Sequence, residues 1–226
     1  MSGGRIRVGV LFGGCSSEHE VSLMSARSVL GALDPAKYEI VQIGITKEGR
    51  WIVASDAVDR LIERAEAAGA LEGEPARTET VALLPDPGRG GRLLRPGDAG
   101  RLVDMPALDV VFPLVHGQTG EDGALQGLFE LAGIPYVGAG ITGSAVGMDK
   151  EIAKAVWTAA GLPVGPYRVV RRSDWERDAA RIKGEVAAGL GFPCFVKPAN
   201  SGSSIGVRKA HAMEELESWL EETGRI

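Results

Sequence analysis

The chain opens by switching hydrophobic period twice within about forty residues. "IRVGVLF" (6–12) is an apolar run of strand length, and "EVSLMSARSVLGAL" (20–33) reads as a helix closed by Asp34 and Pro35. "YEIVQIGIT" (38–46) then returns to period two, with Ile43 and Ile45 apolar. This is a βαβ unit, and such a crossover joins parallel strands, so an α/β fold with a parallel sheet is expected. The alternation continues after a weaker stretch. "ALDVVFPLV" reads as a strand, "ALQGLFELAG" as a helix with Leu125, Leu128, Phe129 and Ala132 on one face and Gly133 as its stop, and "IPYVG" as a short strand.

At 226 residues the chain exceeds the ~100–150 of a typical domain, and two domains are expected, 1–143 and 144–226. The second should hold a helix around "DKEIAKAVWTAAG", a strand "PYRVVR", a helix opened by a Ser173–Glu176 capping box, strands "PCFVKPA" and "SIGVRKA", and a last helix from about Met213. Residues 50–105 are less patterned: an alanine-rich helix near Ala54–Ala70, then turns or a small edge hairpin in "PDPGRGGRLLRPGDAG".

Net charge −5, with 24% charged residues, provides no electrostatic footprint for nucleic acid. No run approaches the ~18 apolar residues of a membrane span. "RIRVGVLFGGCSSEHE" breaks into glycine and charge too early for a secretory segment, so a cytoplasmic protein is expected. Two cysteines, Cys15 and Cys194, make no disulfide framework and read as small apolar fillers.

Thirty-two glycines are about twice the usual share and gather at strand ends. Three such loops follow strands, where α/β sheets place ligands. In "LFGGCSSEHEVS", Ser17 and Glu20 form an expected capping box, which leaves Glu18 either to complement the helix dipole or to await a cationic group. "HGQTGEDG" holds His116, Glu121 and Asp122; their spacing fits no standard zinc pattern, and His116 reads as a ligand contact or a structural histidine. "GAGITG" (138–143) matches G-x-G-x-x-G, but it lies well past the first βαβ unit and no acidic residue follows ~20 positions on, which argues against NAD.

The third loop is "FVKPANSGSSIGVRKA" (195–210). Lysine is rarely left in a folded strand unless its ammonium is paired or meets a ligand. Lys197 ends the strand, and "NSGSSIG" offers amides and the hydroxyls of Ser203 and Ser204. A phosphate cradle and a glycine hairpin turn fit this loop about equally, although a hairpin leaves Lys197 unexplained.

Taken in order, "VLFGGCSSEHEVS", "HGQTGEDGALQGLFELAGIPYVGAG", "SAVGMDK" and "FVKPANSGSSIGV" resemble the D-alanine:D-alanine ligases and their D-alanine:D-lactate and D-alanine:D-serine relatives, of the ATP-grasp superfamily. The resemblance implies an N-terminal parallel-sheet (pre-ATP-grasp) domain followed by the first α+β subdomain of an ATP-grasp domain. It implies a cytoplasmic, ATP-dependent, ADP-forming ligase of peptidoglycan precursor synthesis, in which the carboxylate of one D-alanine becomes an acyl phosphate attacked by the amine of a second. Glu18 would hold the first D-alanine's ammonium, Ser203 its carboxylate, and His116 would lie beside it, with Glu121 orienting; Glu18 and Ser203 are the catalytic candidates. Lys150, which the residues alone present as a solvated helix lysine, would hold ATP phosphates with Lys197, under a loop that includes Ser203, Ser204 and Gly206.

The family also uses Mg2+ or Mn2+, an intermediate-stabilising arginine and a loop over the second substrate, none assignable here, and a homodimer is implied for a full-length member. Ending at "EETGRI", the chain is expected to be the N-terminal part of a ligase, inactive alone; a non-catalytic binding module is the competing expectation.

Overall fold

The computed structural model describes residues 4–66, 80–97 and 100–225, which gather into two compact units, Met1–Ala145 and Val146–Ile226. The first unit runs β1 (Ile6–Gly13), α1 (His19–Ala32), β2 (Tyr38–Ile45), β3 (Trp51–Val53), α2 (Ala57–Glu66) and β4 (Ala82–Leu83). It continues through a 3-10 turn at Pro87–Arg89, β5 (Leu93–Pro96), β6 (Leu102–Asp104), β7 (Val110–Pro113) and α3 (Ala124–Ala132). α4 (Ile141–Met148) follows.

The main sheet has the order β3-β2-β1-β7. β1 pairs in parallel with β2 (Val10↔Gln42) and with β7 (Val10↔Phe112), the outcome the opening period switch predicts. β3 adds an antiparallel edge against the end of β2. Because side chains alternate across a strand, β1 feeds two cores. Val8, Val10 and Phe12 pack with Leu23 and Ala26 of α1 and Val58 and Leu61 of α2. Leu11, with Ile43, Ile45 and Val111, packs on Leu125, Phe129 and Ala132 of α3. Each fully buried Leu, Ile or Phe contributes roughly 1.5–3 kcal/mol, so both helical layers are held to the sheet.

Several local expectations change. Leu128 of the predicted α3 face is only partly buried, and Gln126 takes a buried place instead. Gly133 ends the helix in the left-handed conformation as expected. "IPYVG" contributes one bridge, Val111↔Tyr136, rather than a strand. The predicted 54–70 helix is α2, and its last residues lie outside the described ones. The stretch expected to hold turns or a small edge hairpin, 85–100, holds the 3-10 turn and β5; β5 pairs antiparallel with β6 as a hairpin would, but in a separate sheet of order β4-β5-β6 rather than at the edge of the main one. Cys15 is exposed and is no core filler, whereas Cys194 is buried and burial pushes its thiol pKa up.

The second unit contains α5 (Lys150–Ala159), α6 (Arg172–Arg177), α7 (Ala179–Gly189), β8 (Cys194–Val196), β9 (Arg208–Ala210) and α8 (Met213–Thr223). β8 and β9 form an antiparallel pair. Ile182 and Val186 of α7 and Leu216 of α8 pack on Cys194, Val196 and Ala210. "PYRVVR" forms no strand among the described residues: it is mostly exposed and joins no ladder. The Ser173–Glu176 capping box is also overturned, since Ser173 lies inside α6. Asp178 instead caps α7, accepting from the Arg181 amide at 2.9 Å. Asp178 follows the end of α6, where backbone amides of a second helix need an acceptor.

Candidate functional site

β1 ends in a turn that only glycine passes. Gly13 has φ +90°, and a Cβ there would stand 2.1 Å from the Ile45 carbonyl oxygen. Ser22, fully buried on α1, secures this turn: its Oγ accepts from the Gly13 amide (2.7 Å) and donates to the Leu114 carbonyl (2.6 Å). One side chain thereby ties the ends of two adjacent strands to the helix. His19 is buried beside it, with Nδ1 2.7 Å from the Gly14 carbonyl oxygen. A carbonyl only accepts, so Nδ1 carries the proton.

Glu18 occupies the N-cap position of α1 and is 5% exposed. The predicted Ser17–Glu20 capping box is not present. Glu20 turns away to Lys47 (2.5 Å), whose hydrogen bond holds its carboxyl pKa below the usual value. Such a charge-assisted bond is stronger than one to a neutral amide. Ser16, not Ser17, makes the local turn, its Oγ accepting from the Glu18 amide at 3.2 Å.

The loop after β7 brings the other predicted residues of this unit to Glu18. Gly117 has φ +72°, and a Cβ on it would lie 2.5 Å from Glu18 Oε2, so the Glu18 carboxylate rests against bare backbone. The Gly117 amide donates to Glu121 Oε2 at 2.8 Å. The other Glu121 oxygen stands 3.9 Å from His116 Nδ1, and His116 Nε2 is 3.0 Å from Ser25 Oγ on α1. Ser16 Oγ donates to the His116 carbonyl at 2.8 Å. Asp122 acts elsewhere, accepting from the Thr119 and Ala124 amides at the start of α3. Two carboxylates and an imidazole thus surround Gly117, an arrangement suited to a group that donates hydrogen bonds and carries positive charge.

Ser16, Ser22 and Ser25 are supports that sequence reasoning passes over. The available signal was a pair of serines three apart, Ser22 and Ser25, on a helix whose neighbouring Leu23 and Ala26 are core.

In the second unit β8 stops at Val196, so Lys197 begins the loop rather than sitting in the strand. Its ammonium lies 5.9 Å from the Phe195 ring, and that of Lys209 lies 6.0 Å from the same ring. The expected strand from Ser204 forms only at Arg208. Ser203, Ser204 and Gly206 have φ of +45°, +61° and +68°, which curls residues 203–206 into a turn instead of a ladder. Bonds from Ile205 N to Gly202 O and from Val207 N to Ser204 O close it. Curled backbone of this kind turns successive amides toward one concavity, where anions bind.

Lys150 reaches this loop from the first turn of α5, its Nζ donating to the Ser201 carbonyl at 2.6 Å. Burial lowers its pKa and the Lys197 charge adds to the effect, while Asp149 opposes both. Lys150 is therefore no freely solvated lysine, and two ammoniums acting on one another are relieved by an anion. Both line a cavity of about 830 Å³ with Trp175, Val186, Phe195 and Leu216. A polyphosphate fits this charge and backbone. Among the described residues no group of three or more His, Cys, Asp or Glu is placed to hold a metal ion, and no helix is long and apolar enough to cross a membrane.

Two solved structures similar to this chain are named as ligases. The VanG D-Ala:D-Ser ligase from Enterococcus faecalis superposes with a TM-score of 0.78 at 32% identity, over 98% of this chain and 60% of that one. The D-alanine-D-alanine ligase from Coxiella burnetii reaches 0.79 at 31% identity, over 98% and 61%. The D-ala D-ala ligase N-terminus family matches residues 7–139, and the D-ala D-ala ligase C-terminus family matches 156–226. The chain belongs to the D-ala D-ala ligase family. It is 50% identical over 218 residues to the D-alanine–D-alanine ligase of Mycolicibacterium vanbaalenii, covering 96% of this chain. With that of Streptomyces coelicolor the identity is 45%, over 97% of this chain. The chain spans 57% of the length of each of these two relatives.

Proposed function

We propose that this chain provides the first-substrate and phosphate-binding parts of an ATP-dependent, ADP-forming ligase that joins two D-alanines for peptidoglycan precursor synthesis. The observation that carries the reading is the buried Glu18 carboxylate packed against Gly117, with His116 and Glu121 alongside. There Glu18 holds the ammonium of the first D-alanine, His116 lies beside it and Glu121 orients the loop. Ser203 binds the carboxylate of the same amino acid.

Lys150, Lys197, Ser204 and Gly206 would hold ATP, and the mutual repulsion of the two lysines supports that assignment. Bound ATP supplies the phosphoryl group that activates the first carboxylate, with Mg2+ or Mn2+ accompanying it. The chain's own contribution is to bind and orient, and to stabilise charge without a covalent nucleophile. D-alanine is favoured as second substrate over D-lactate or D-serine because the relatives at 45–50% identity are D-alanine–D-alanine ligases. A cytoplasmic setting and a homodimeric complete enzyme belong to the same proposal.

Glu18→Gln tests it by isothermal titration with D-alanine. The neutral amide should weaken binding at least tenfold, and unchanged affinity would remove Glu18 from the ammonium site. We also propose that the 226-residue polypeptide alone, spanning 57% of the Mycolicibacterium relative, binds but does not turn over. D-alanine-dependent ADP release by it would refute that.

A further inference from the structure

Ser25 is a small polar side chain with a single hydroxyl proton and two neighbours able to accept it. Its Oγ lies 3.0 Å from the Val21 carbonyl oxygen, one helical turn back, and 3.0 Å from His116 Nε2. If the hydroxyl donated to Nε2, the His116 proton would sit on Nδ1. Facing Nδ1 is Glu121 Oε1 at 3.9 Å, beyond hydrogen-bond reach. If His116 carries its proton on Nε2, both protons find acceptors: Nε2–H donates to Ser25 Oγ, and Oγ–H donates to Val21. The second arrangement makes one more hydrogen bond from the same atoms, worth roughly a five- to tenfold preference.

The histidine is held at its other end as well, because Ser16 Oγ donates to its backbone carbonyl.

We propose that Ser25 is a positioning residue that holds neutral His116 in the Nε2–H tautomer, so that Nδ1 faces Glu121 as a hydrogen-bond acceptor. Nδ1 and Glu121 Oε1 then form a gap between two acceptors, which a hydrogen-bond donor fills and another acceptor does not. The group this favours is an ammonium rather than a carboxylate. That last step rests on the amino-acid reading above; the tautomer assignment does not.

His19, with Nδ1–H donating to Gly14, has the opposite tautomer and serves as an internal control. Long-range 1H–15N correlation spectra of the labelled 226-residue protein near pH 8.5, where an ordinary imidazole is neutral, should show His116 protonated at Nε2 and His19 at Nδ1. In Ser25→Ala the His116 signals should move to a tautomer mixture with His19 unchanged, and Ser25→Thr should restore the original pattern. D-alanine affinity, measured by titration, should fall roughly fivefold or more in Ser25→Ala and recover in Ser25→Thr. His116 protonated at Nδ1 in the unmodified protein, or His116 signals indifferent to Ser25→Ala, would overturn the proposal. A tautomer shift with unchanged D-alanine affinity would instead overturn the amino-acid reading at Nδ1 while leaving Ser25 as the tautomer determinant.

Discussion

Gly117→Ala probes the contact between loop and carboxylate most directly. The residue has φ +72°, and an added Cβ would stand 2.5 Å from Glu18 Oε2, against the 3.4 Å at which ordinary contact begins. The carboxylate must therefore retreat by about 0.9 Å, the difference of those two distances. Two costs arise and can be separated. The left-handed backbone costs a non-glycine residue roughly 1–2 kcal/mol of stability. Displacing a binding group by about 1 Å can cost up to ~100-fold in function, so D-alanine affinity should fall between roughly 10- and 100-fold.

Gly100→Ala supplies the control, because Gly100 has φ +77° and, among the described residues, nothing within 4 Å of its would-be Cβ. Both variants should lose similar stability in chemical denaturation, and only Gly117→Ala should lose D-alanine affinity by calorimetry. Equal affinities for the two variants would refute the placement of Glu18 as the binding carboxylate.

Ser22→Ala leaves the Gly13 amide and the Leu114 carbonyl without their buried partner, and should destabilise the first unit by ~2–4 kcal/mol in urea unfolding. Asp178→Ala removes the α7 cap and should cost about 1 kcal/mol, read as a lower unfolding midpoint of the second unit. Lys150 has a lowered pKa, so the folded state binds its proton less well than the unfolded chain. Its unfavourable contribution to stability is full below the folded pKa and fades as pH rises toward the ordinary lysine value. Polyphosphate affinity, which needs the charged form, should accordingly decline at a lower pH than for an ordinary lysine. Lys197→Gln removes one cause of the shift and should move that decline to higher pH, even as it weakens binding overall; an unmoved pH limb in titrations would refute the coupling.

The βαβ order, the parallel pairing of β1 with β2 and the alternation of core residues along β1 follow from periodicity, because burial on two faces of a strand repeats every second residue whatever the rest of the chain does. Glu18, His116 and Glu121 were also visible as residues, since each lies in a glycine loop at a strand end. Their convergence was not, because it depends on β7 lying beside β1 and on a glycine at 117 that lets Glu18 lie against the backbone. Local motifs misled at two helices: Glu20 matches a capping box but goes to the distant Lys47, and Ser173 matches a helix start yet lies inside α6, which begins at Arg172. Sequence alone determined the strands at the centre of the main sheet and which residue types gather at their ends. Tertiary structure decided which hydroxyl, carboxylate and ammonium meet, because hydrogen bonds and charges act over a few ångströms between residues up to about a hundred positions apart, as Ser16 and His116 are.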